Sequence, residues 1–372
     1  MNDSAVSGTA VSAPAGSDPA ASAPVVFEHA SVRLRGNPLG DPYRRRTEVH
    51  LPPGYDGVRR FPVVYWLPGF GAHPSLTGRA LAFGASVADR LRQAMEDGRV
   101  PPALLVVPDC TTAYGGSQYL DSAASGEYAG HLAEIVAEVD RRFATRPEPA
   151  WRAVGGKSSG GYGALVAGMT SDLFGSVVAC SPDASFEHCY LPLLPGTLDT
   201  VRAAGGVDAL LARRTGGPHD VPFMVAMSII AMGMCYAEKA GTSPSDALPC
   251  DPATGLFRDD VWQRWLTHDP VRMLPAHAGR LSGLGLLHLD VGQRDEYGMH
   301  WGVRALHAAL GAHGVPHVYR EHEGGHHGIE HVFTEALAGL WRVWREPAAP
   351  EPVPAPKSET PAVSWVSGTC AV

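Results

Sequence analysis

The stretch "AWRAVGGKSSGGYGALVAGMT", residues 150–170, decides the fold of this chain. Its first residues form a short apolar run typical of a strand covered on both faces, and its last residues form a run that a helix accommodates. Between them, Gly156, Ser158 and Gly160 match the G-x-S-x-G pattern of a nucleophile elbow. Such a turn exposes the serine hydroxyl beside a helix N-terminus, which favours a developing negative charge. The stretch therefore predicts a serine nucleophile at the end of a strand.

Two other interpretations fit parts of this stretch. A phosphate-binding loop, G-x-x-x-x-G-K-S, needs glycine at position 151, where the chain has Trp151, so that interpretation is excluded. A glycine-rich turn without chemistry stays open on local grounds. Ser159 is an alternative nucleophile, but it lies off the central position of the motif and is better placed to supply a backbone N–H.

Short apolar runs alternate with amphipathic stretches on both sides of the elbow. This alternation predicts an α/β fold with a mostly parallel central sheet and helices on both faces, and it places functional groups on loops at the carboxyl ends of the strands. Residues 25–36 and 45–55 precede the alternation and are expected to form an antiparallel lead-in. The expected strands of the alternating part lie at residues 61–69, 103–110, 150–156, 176–182, 285–292 and 317–323.

The chain divides by composition into three parts. Residues 1–24 are small, polar and proline-containing and are expected to be a disordered leader, while the proline-rich residues 346–372 are expected to be a disordered tail. Residues 25–345 are then one catalytic domain. Residues 183–274 interrupt the alternation and are expected to be a cap inserted over the sheet. Within them, the apolar run 221–237 favours a buried helix or pocket wall over a membrane span.

Composition excludes several classes of protein. The 372 residues, of which 45% are hydrophobic and 18% charged, are typical of a globular enzyme. The net charge of −8 argues against a nucleic-acid partner.

The six cysteines have no C-x-x-C spacing, so buried thiols are expected, with a disulfide between Cys235 and Cys250 left open. The N-terminus has neither the basic start nor the apolar core of a secretory signal, which favours a cytoplasmic location. The oligomeric state stays open.

Two further loops carry candidate catalytic groups. The apolar run ending in "LPGFG" leads into a glycine loop, where Phe70 or Gly71 is expected to supply one oxyanion N–H, with the second from Ser159. After the strand "GLLHLDVG", Asp295 is the first choice for the acid that orients a histidine, and Glu296 is the second.

The stretch "REHEGGHHGIEH", residues 320–331, contains an H-E-x-x-H pattern with two interpretations. A zinc site using His322, Glu323 and His326 requires a helix. However, Gly324 and Gly325 each cost about 1 kcal/mol in a helix, and the residues before them are typical of a strand. The pattern therefore favours a loop that presents His326 as a general base, with zinc hydrolysis kept as the less favoured alternative.

With these residues in place, the sequence resembles the esterase family of the α/β-hydrolase fold, over residues 25–344. This family includes S-formylglutathione hydrolases, feruloyl, acetylxylan and enterochelin esterases, and mycolyltransferases. The resemblance rests on motifs such as "LPGFGAHPS", "GKSSGGYGAL", "LDVGQRDEYGMHWGVRALH" and "EHEGGHHGIEH". It implies Ser158 as nucleophile, Asp295 as acid and His326 as base. Two departures are "LPGFG" in place of H-G-x-G, and His327 where aspartate often follows the histidine.

The expected function is a serine hydrolase that cleaves small-molecule carboxylic or thioesters through an acyl-enzyme, without a cofactor or bound metal. An acyltransferase using the same residues and a non-catalytic binding protein of the same fold are the alternatives. Gln118 and Tyr119, on the loop after one strand, are candidate substrate contacts. Glu187 and His188, at the start of the cap, are two more.

Overall fold

The computed structural model describes residues 23–73, 85–216 and 219–344. The predicted tail and all but the last two residues of the predicted leader lie outside the described residues, so those two predictions stay untested.

The described part of the chain forms ten β-strands. In chain order they are β1 (Val25–Ala30), β2 (Arg44–His50), β3 (Val63–Leu67), β4 (Leu104–Pro108), β5 (Asp121–Ser122), β6 (Gly126–Glu127), β7 (Arg152–Lys157), β8 (Ser176–Cys180), β9 (Leu286–Gly292) and β10 (Val318–His322).

Eight of these strands form one sheet in the order β1-β2-β4-β3-β7-β8-β9-β10, and β5 pairs with β6 in a separate ribbon. The pairs β1–β2 and β2–β4 are antiparallel, whereas every other pair of the large sheet is parallel. The prediction of a mostly parallel sheet with an antiparallel lead-in is therefore confirmed. Because β7, β8 and β9 are parallel neighbours, the loops that follow them meet at one edge of the sheet.

Twelve α-helices accompany the strands within the described residues. They are α1 (Val87–Glu96), α2 (Tyr128–Arg142), α3 (Ser159–Thr170), α4 (Phe186–Cys189), α5 (Leu194–Ala204), α6 (Val207–Ala212), α7 (Val221–Cys235), α8 (Asp259–Leu266), α9 (Pro270–Ser282), α10 (Met299–Ala312), α11 (Glu330–Ala338) and α12 (Leu340–Trp344).

Helices cover both faces of the sheet. Successive residues of a strand point to opposite faces, so the buried Tyr65 packs into one apolar cluster and its neighbour Trp66 into another. The cluster around Tyr65 also holds the apolar faces of α2, α3 and α10, and the cluster around Trp66 holds those of α1 and α11. Strands buried on both sides explain why the sequence shows continuous apolar runs rather than alternation.

The chain between β8 and β9 contains the six helices α4 to α9. The apolar run 221–237 forms helix α7, which is 15 residues long and mostly buried. Among the described residues, no helix has both the length and the apolar character needed to cross a membrane.

The cysteines are buried thiols wherever the structure describes them. Cys110, Cys180, Cys189, Cys235 and Cys250 are all unpaired, so the bond left open between Cys235 and Cys250 does not form. Burial raises the pKa of the Cys235 thiol to about 12, which keeps it protonated and unreactive at neutral pH. Cys370 lies outside the described residues.

Glycine at the elbow allows the closest approach between α3 and the sheet. A Cβ on Gly160 would lie 1.9 Å from the carbonyl oxygen of Leu67, at the end of β3. A Cβ on Gly156 would lie 2.5 Å from the backbone of Gly160. Both contacts involve backbone atoms, so no side-chain rotation relieves them, and the two motif glycines are a steric requirement of this turn.

We expect Gly160→Ala to lower the free energy of unfolding by roughly 2 kcal/mol or more, or to prevent folding, because the backbone must shift to admit the methyl group. The matched control is Gly279→Ala in α9, where a Cβ would meet nothing within 4 Å. That variant should gain up to about 1 kcal/mol from its better helix propensity. Urea denaturation of both variants checks the pair, and equal stability of the two would contradict the steric account.

Candidate active site

Ser158 lies at the junction of β7 and α3 with φ 57° and ψ −127°, a conformation that non-glycine residues rarely adopt. Its N–H donates to the carbonyl oxygen of Cys180 at 2.9 Å, which fixes the turn to β8. The strained geometry is the one that the G-x-S-x-G pattern predicts. It presents the Ser158 side chain at the N-terminus of α3.

A cavity of about 490 Å³ opens over this serine. Helix α7 forms its apolar wall, and the loops after β7 and β8 and around His326 form its polar floor. The lining residues that matter below are Phe70, Ser158, Ser159, Asp183, Val221, Met224, Val225, Met232, Tyr297, His326 and His327. A mostly apolar cavity with a few convergent polar groups is typical of a small-molecule site.

His326 and Asp295 form a buried pair at this cavity. The distance between His326 Nδ1 and Asp295 Oδ2 is 2.7 Å. The other carboxylate oxygen of Asp295 accepts from the N–H groups of Tyr297 at 3.0 Å and Met299 at 3.4 Å. Burial alone would raise the pKa of Asp295, but the hydrogen bond and charge of His326 and the two backbone donors bring it below its usual value. Asp295 is therefore held as a carboxylate.

Glu296, the second choice for the acid, has a different position. Its Oε2 accepts from the backbone N–H of His326 at 2.5 Å, so it holds the loop rather than the imidazole. The paired glycines permit this approach, because a Cβ on Gly325 would lie 2.6 Å from Glu296 Oε1. A Cβ on Gly292 would likewise lie 2.5 Å from the carbonyl oxygen of Gly324.

The H-E-x-x-H residues do not lie on a helix. His322 ends β10, and its Nδ1 accepts from the N–H of Gly324 at 3.1 Å. His326 follows in a loop, with its own Nδ1 on Asp295. The zinc interpretation requires both histidines on one face of a helix. Residues 320–329, all of which the structure describes, do not form that helix.

The three oxyanion candidates differ in their hydrogen bonds. The N–H of Gly71 donates to the carbonyl oxygen of Gly115 at 3.0 Å, so it is already engaged. Phe70 lines the cavity, and its ring packs over Gly115. Ser159 is the first residue of α3, where a backbone N–H has no intrahelical acceptor. Phe70 and Ser159 therefore remain the better-placed donors.

The four candidate substrate contacts are not on the cavity wall. Gln118 is buried, with its amide nitrogen donating to Asp183 Oδ2 at 2.8 Å. The Tyr119 hydroxyl donates to the carbonyl oxygen of Pro68 at 2.6 Å. Glu187 pairs with Arg272 on the surface, and His188 Nδ1 lies 2.9 Å from Ser185 Oγ. Gln118 therefore contacts a residue of the cavity, Asp183, whereas the partners of Glu187 and His188 are not among the cavity-lining residues.

Asp183 is a cavity residue that sequence reasoning missed. It is 2% exposed. Its Oδ2 accepts hydrogen bonds from the Gln118 amide and, at 2.8 Å, from the Tyr190 hydroxyl. The Tyr190 hydroxyl also lies 3.0 Å from the hydroxyl of Tyr236. Burial raises the pKa of Asp183, although the hydrogen bonds from Gln118 and Tyr190 act to lower it. The signal was present in the sequence, because Asp183 follows β8 at the same sheet edge at which Asp295 follows β9.

The fold is that of the α/β-hydrolases. Solved structures similar to the chain include a ferulic acid esterase, with 18% identity, a TM-score of 0.56, and coverage of 86% of this chain and 98% of that one. Another is the S-formylglutathione hydrolase of Staphylococcus aureus, with 13% identity, a TM-score of 0.52, and coverage of 86% and 98%. A feruloyl esterase module from Clostridium thermocellum, complexed with sinapinate, has 13% identity, a TM-score of 0.53, and coverage of 92% and 98%. At these identities the likeness establishes the fold.

The family model described as "Putative esterase" matches residues 42–342, and the chain therefore belongs to this esterase family. Its class is carboxylic ester hydrolase, of the serine esterase type. The sequence has no significant match among curated proteins.

The buried carboxyl of Asp183 gives a stability prediction. Asp183→Leu removes the carboxylate that accepts from the Gln118 amide and the Tyr190 hydroxyl and leaves both groups only their bonds within the tyrosine hydroxyl network, at a cost of about 1–3 kcal/mol for incompletely satisfied buried groups. Asp183→Asn keeps a carbonyl oxygen at the same place and is the matched control. We expect the leucine variant to unfold at a clearly lower urea concentration than the asparagine variant. Equal midpoints would show that Asp183 does not hold these groups.

Proposed function

We propose that the chain hydrolyses small-molecule carboxylic esters through an acyl-enzyme on Ser158, with His326 as general base and Asp295 as the residue that orients it. The observation that carries this proposal is the 2.7 Å contact between Asp295 and His326 at the cavity that Ser158 also lines. A nucleophile in a strained strand-to-helix turn and a carboxylate-bound imidazole at the same cavity are the parts that this chemistry needs.

The carboxylate of Asp295 sets the tautomer of His326. With Nδ1–H donated to Asp295, the lone pair lies on Nε2, which is the atom that takes the proton from the Ser158 hydroxyl. Ser158 Oγ then attacks the ester carbonyl, and His326 returns the proton to the leaving alcohol as the tetrahedral intermediate collapses. Water attacks the acyl-enzyme by the same route, with His326 again accepting a proton and returning it to Ser158. The low pKa of Asp295 supports this role, because a carboxylate stabilises the imidazolium form.

The developing oxyanion is stabilised by backbone donors. We assign them to Phe70 and Ser159, since the Gly71 N–H is engaged with Gly115. The Ser159 N–H also lies at the positive end of the 12-residue helix α3, which adds to the stabilisation.

The cavity wall supports an apolar substituent in the substrate. Met224, Val225 and Met232 all face the cavity from helix α7. Methionine side chains adapt to irregular apolar groups, so this wall fits an aliphatic or aromatic acyl or alcohol portion better than a charged one.

The test is steady-state hydrolysis of a short-chain nitrophenyl ester by single variants. Ser158→Ala, His326→Ala and Asp295→Asn should each lower kcat by about 10³-fold or more, because the three groups act as a unit. The matched controls are Glu296→Gln, beside the acid, and His322→Gln, beside the base. Both should keep kcat within about tenfold, because neither side chain contacts the Nδ1–carboxylate pair.

The controls also separate the alternatives. If Glu296→Gln is as inactive as Asp295→Asn, the acid is misassigned. If Ser158→Ala keeps its activity, the acyl-enzyme proposal is wrong at its first step.

A further inference from the structure

A second polar cluster lies outside the catalytic cavity, where β1 packs against α2. It consists of His29 on β1 and of His131 and Glu134 on α2. One ligand atom from each of the three lies within 4.8 Å of the others. None of the three lines the cavity over Ser158.

The imidazole of His131 has an unusual environment. The residue is fully buried, and its Nε2 lies 3.3 Å from the carbonyl oxygen of Asp109. A carbonyl oxygen can accept a hydrogen bond but cannot donate one, so Nε2 carries the proton and Nδ1 has the free lone pair.

The Nδ1 lone pair of His131 faces another acceptor. Nδ1 is buried, has no hydrogen-bond partner among the described residues, and lies 3.8 Å from Glu134 Oε2. Two acceptors that face each other with no hydrogen between them repel, unless a cation lies between them. His29 Nε2 lies 3.3 Å from the same carboxylate oxygen.

Glu134 is held in place by a set of hydrogen bonds. Its Oε1 accepts from the N–H groups of Val32 at 3.1 Å and Arg33 at 3.2 Å. Its Oε2 accepts from the Ser31 hydroxyl at 2.5 Å. Outer-shell hydrogen bonds of this kind orient carboxylate ligands in metal sites.

The distances are close to those of a tetrahedral site. Bonds of about 2.0–2.2 Å to nitrogen and oxygen place tetrahedral ligands about 3.3–3.6 Å apart. From Glu134 Oε2, His29 Nε2 lies at 3.3 Å, within this range, and His131 Nδ1 lies at 3.8 Å, slightly beyond it. Two imidazoles and one carboxylate suit Zn²⁺ and similar borderline-soft divalent ions, with water as the fourth ligand. The side chains of His29 and Glu134 are 18% and 20% exposed, so an ion can enter from solvent.

The Arg45 guanidinium does not compete for the site. It is directed to Asp109, at 3.4 Å, and to the Tyr128 hydroxyl, at 2.9 Å. Its charge is therefore balanced by Asp109 rather than by Glu134.

From this geometry we propose that His29, His131 and Glu134 form a binding site for one zinc-like divalent cation. The ion ties strand β1 to helix α2, which are about 100 residues apart in sequence, and so stabilises the antiparallel edge of the sheet. The role is structural, and it does not depend on the ester chemistry at Ser158.

The experiment is calorimetric titration of the chelator-treated full chain with Zn²⁺ alone. Wild type should bind one ion per chain. His29→Gln and Glu134→Gln should each weaken binding at least about tenfold. The matched control is His307→Gln, which breaks the other close histidine pair, His307 Nδ1 to His317 Nε2 at 2.7 Å. It should bind as wild type does, and all variants should keep esterase activity.

A wild type without stoichiometric Zn²⁺ binding overturns the proposal, and so does unchanged affinity in Glu134→Gln. If a variant does not fold, X-ray absorption spectroscopy of zinc-loaded wild type tests the site without it. Two imidazoles in the coordination shell support the site, and a shell with no imidazole or only one contradicts it.

Discussion

The close packing of helix α3 on the end of β3 is the constraint on which the remaining structure depends. It exists because Gly160 places no atom where the Leu67 carbonyl oxygen lies. The approach forces Ser158 into its strained conformation and directs the helix N-terminus toward the cavity. The loop that contains Phe70 follows β3 directly, so the same contact also brings a backbone donor close to the serine.

The remaining polar groups lie close together because the strands that precede them are parallel neighbours in the sheet. Asp183 follows β8, Asp295 follows β9 and His326 follows β10, and these strands are neighbours. Their carboxyl ends meet at one edge, so residues far apart in sequence converge without a dedicated element. Helix α7 then closes the edge with an apolar wall, which lowers the local polarity and strengthens the Asp295–His326 interaction.

The sequence predicts this part of the molecule well, for physical reasons. Strands buried on both faces leave continuous apolar runs, and the paired Gly324 and Gly325 identify a loop where a zinc motif would need a helix. Contacts made by loops are harder to predict. Gln118 and Tyr119 have positive φ values of 50° and 56°, and their side chains donate to Asp183 and to the carbonyl oxygen of Pro68. These contacts depend on tertiary packing, such as that of the Tyr119 ring against Gly163, which no local pattern reveals.

The assignment of Ser158 as the nucleophile is the central claim, and its most direct test is the site of covalent modification. The active full-length enzyme is treated with a fluorophosphonate, and the modified peptide is identified by tandem mass spectrometry. We expect one adduct, on Ser158, formed in step with the loss of esterase activity. An adduct on Ser159 or elsewhere, or full activity after treatment with no adduct on Ser158, would contradict it.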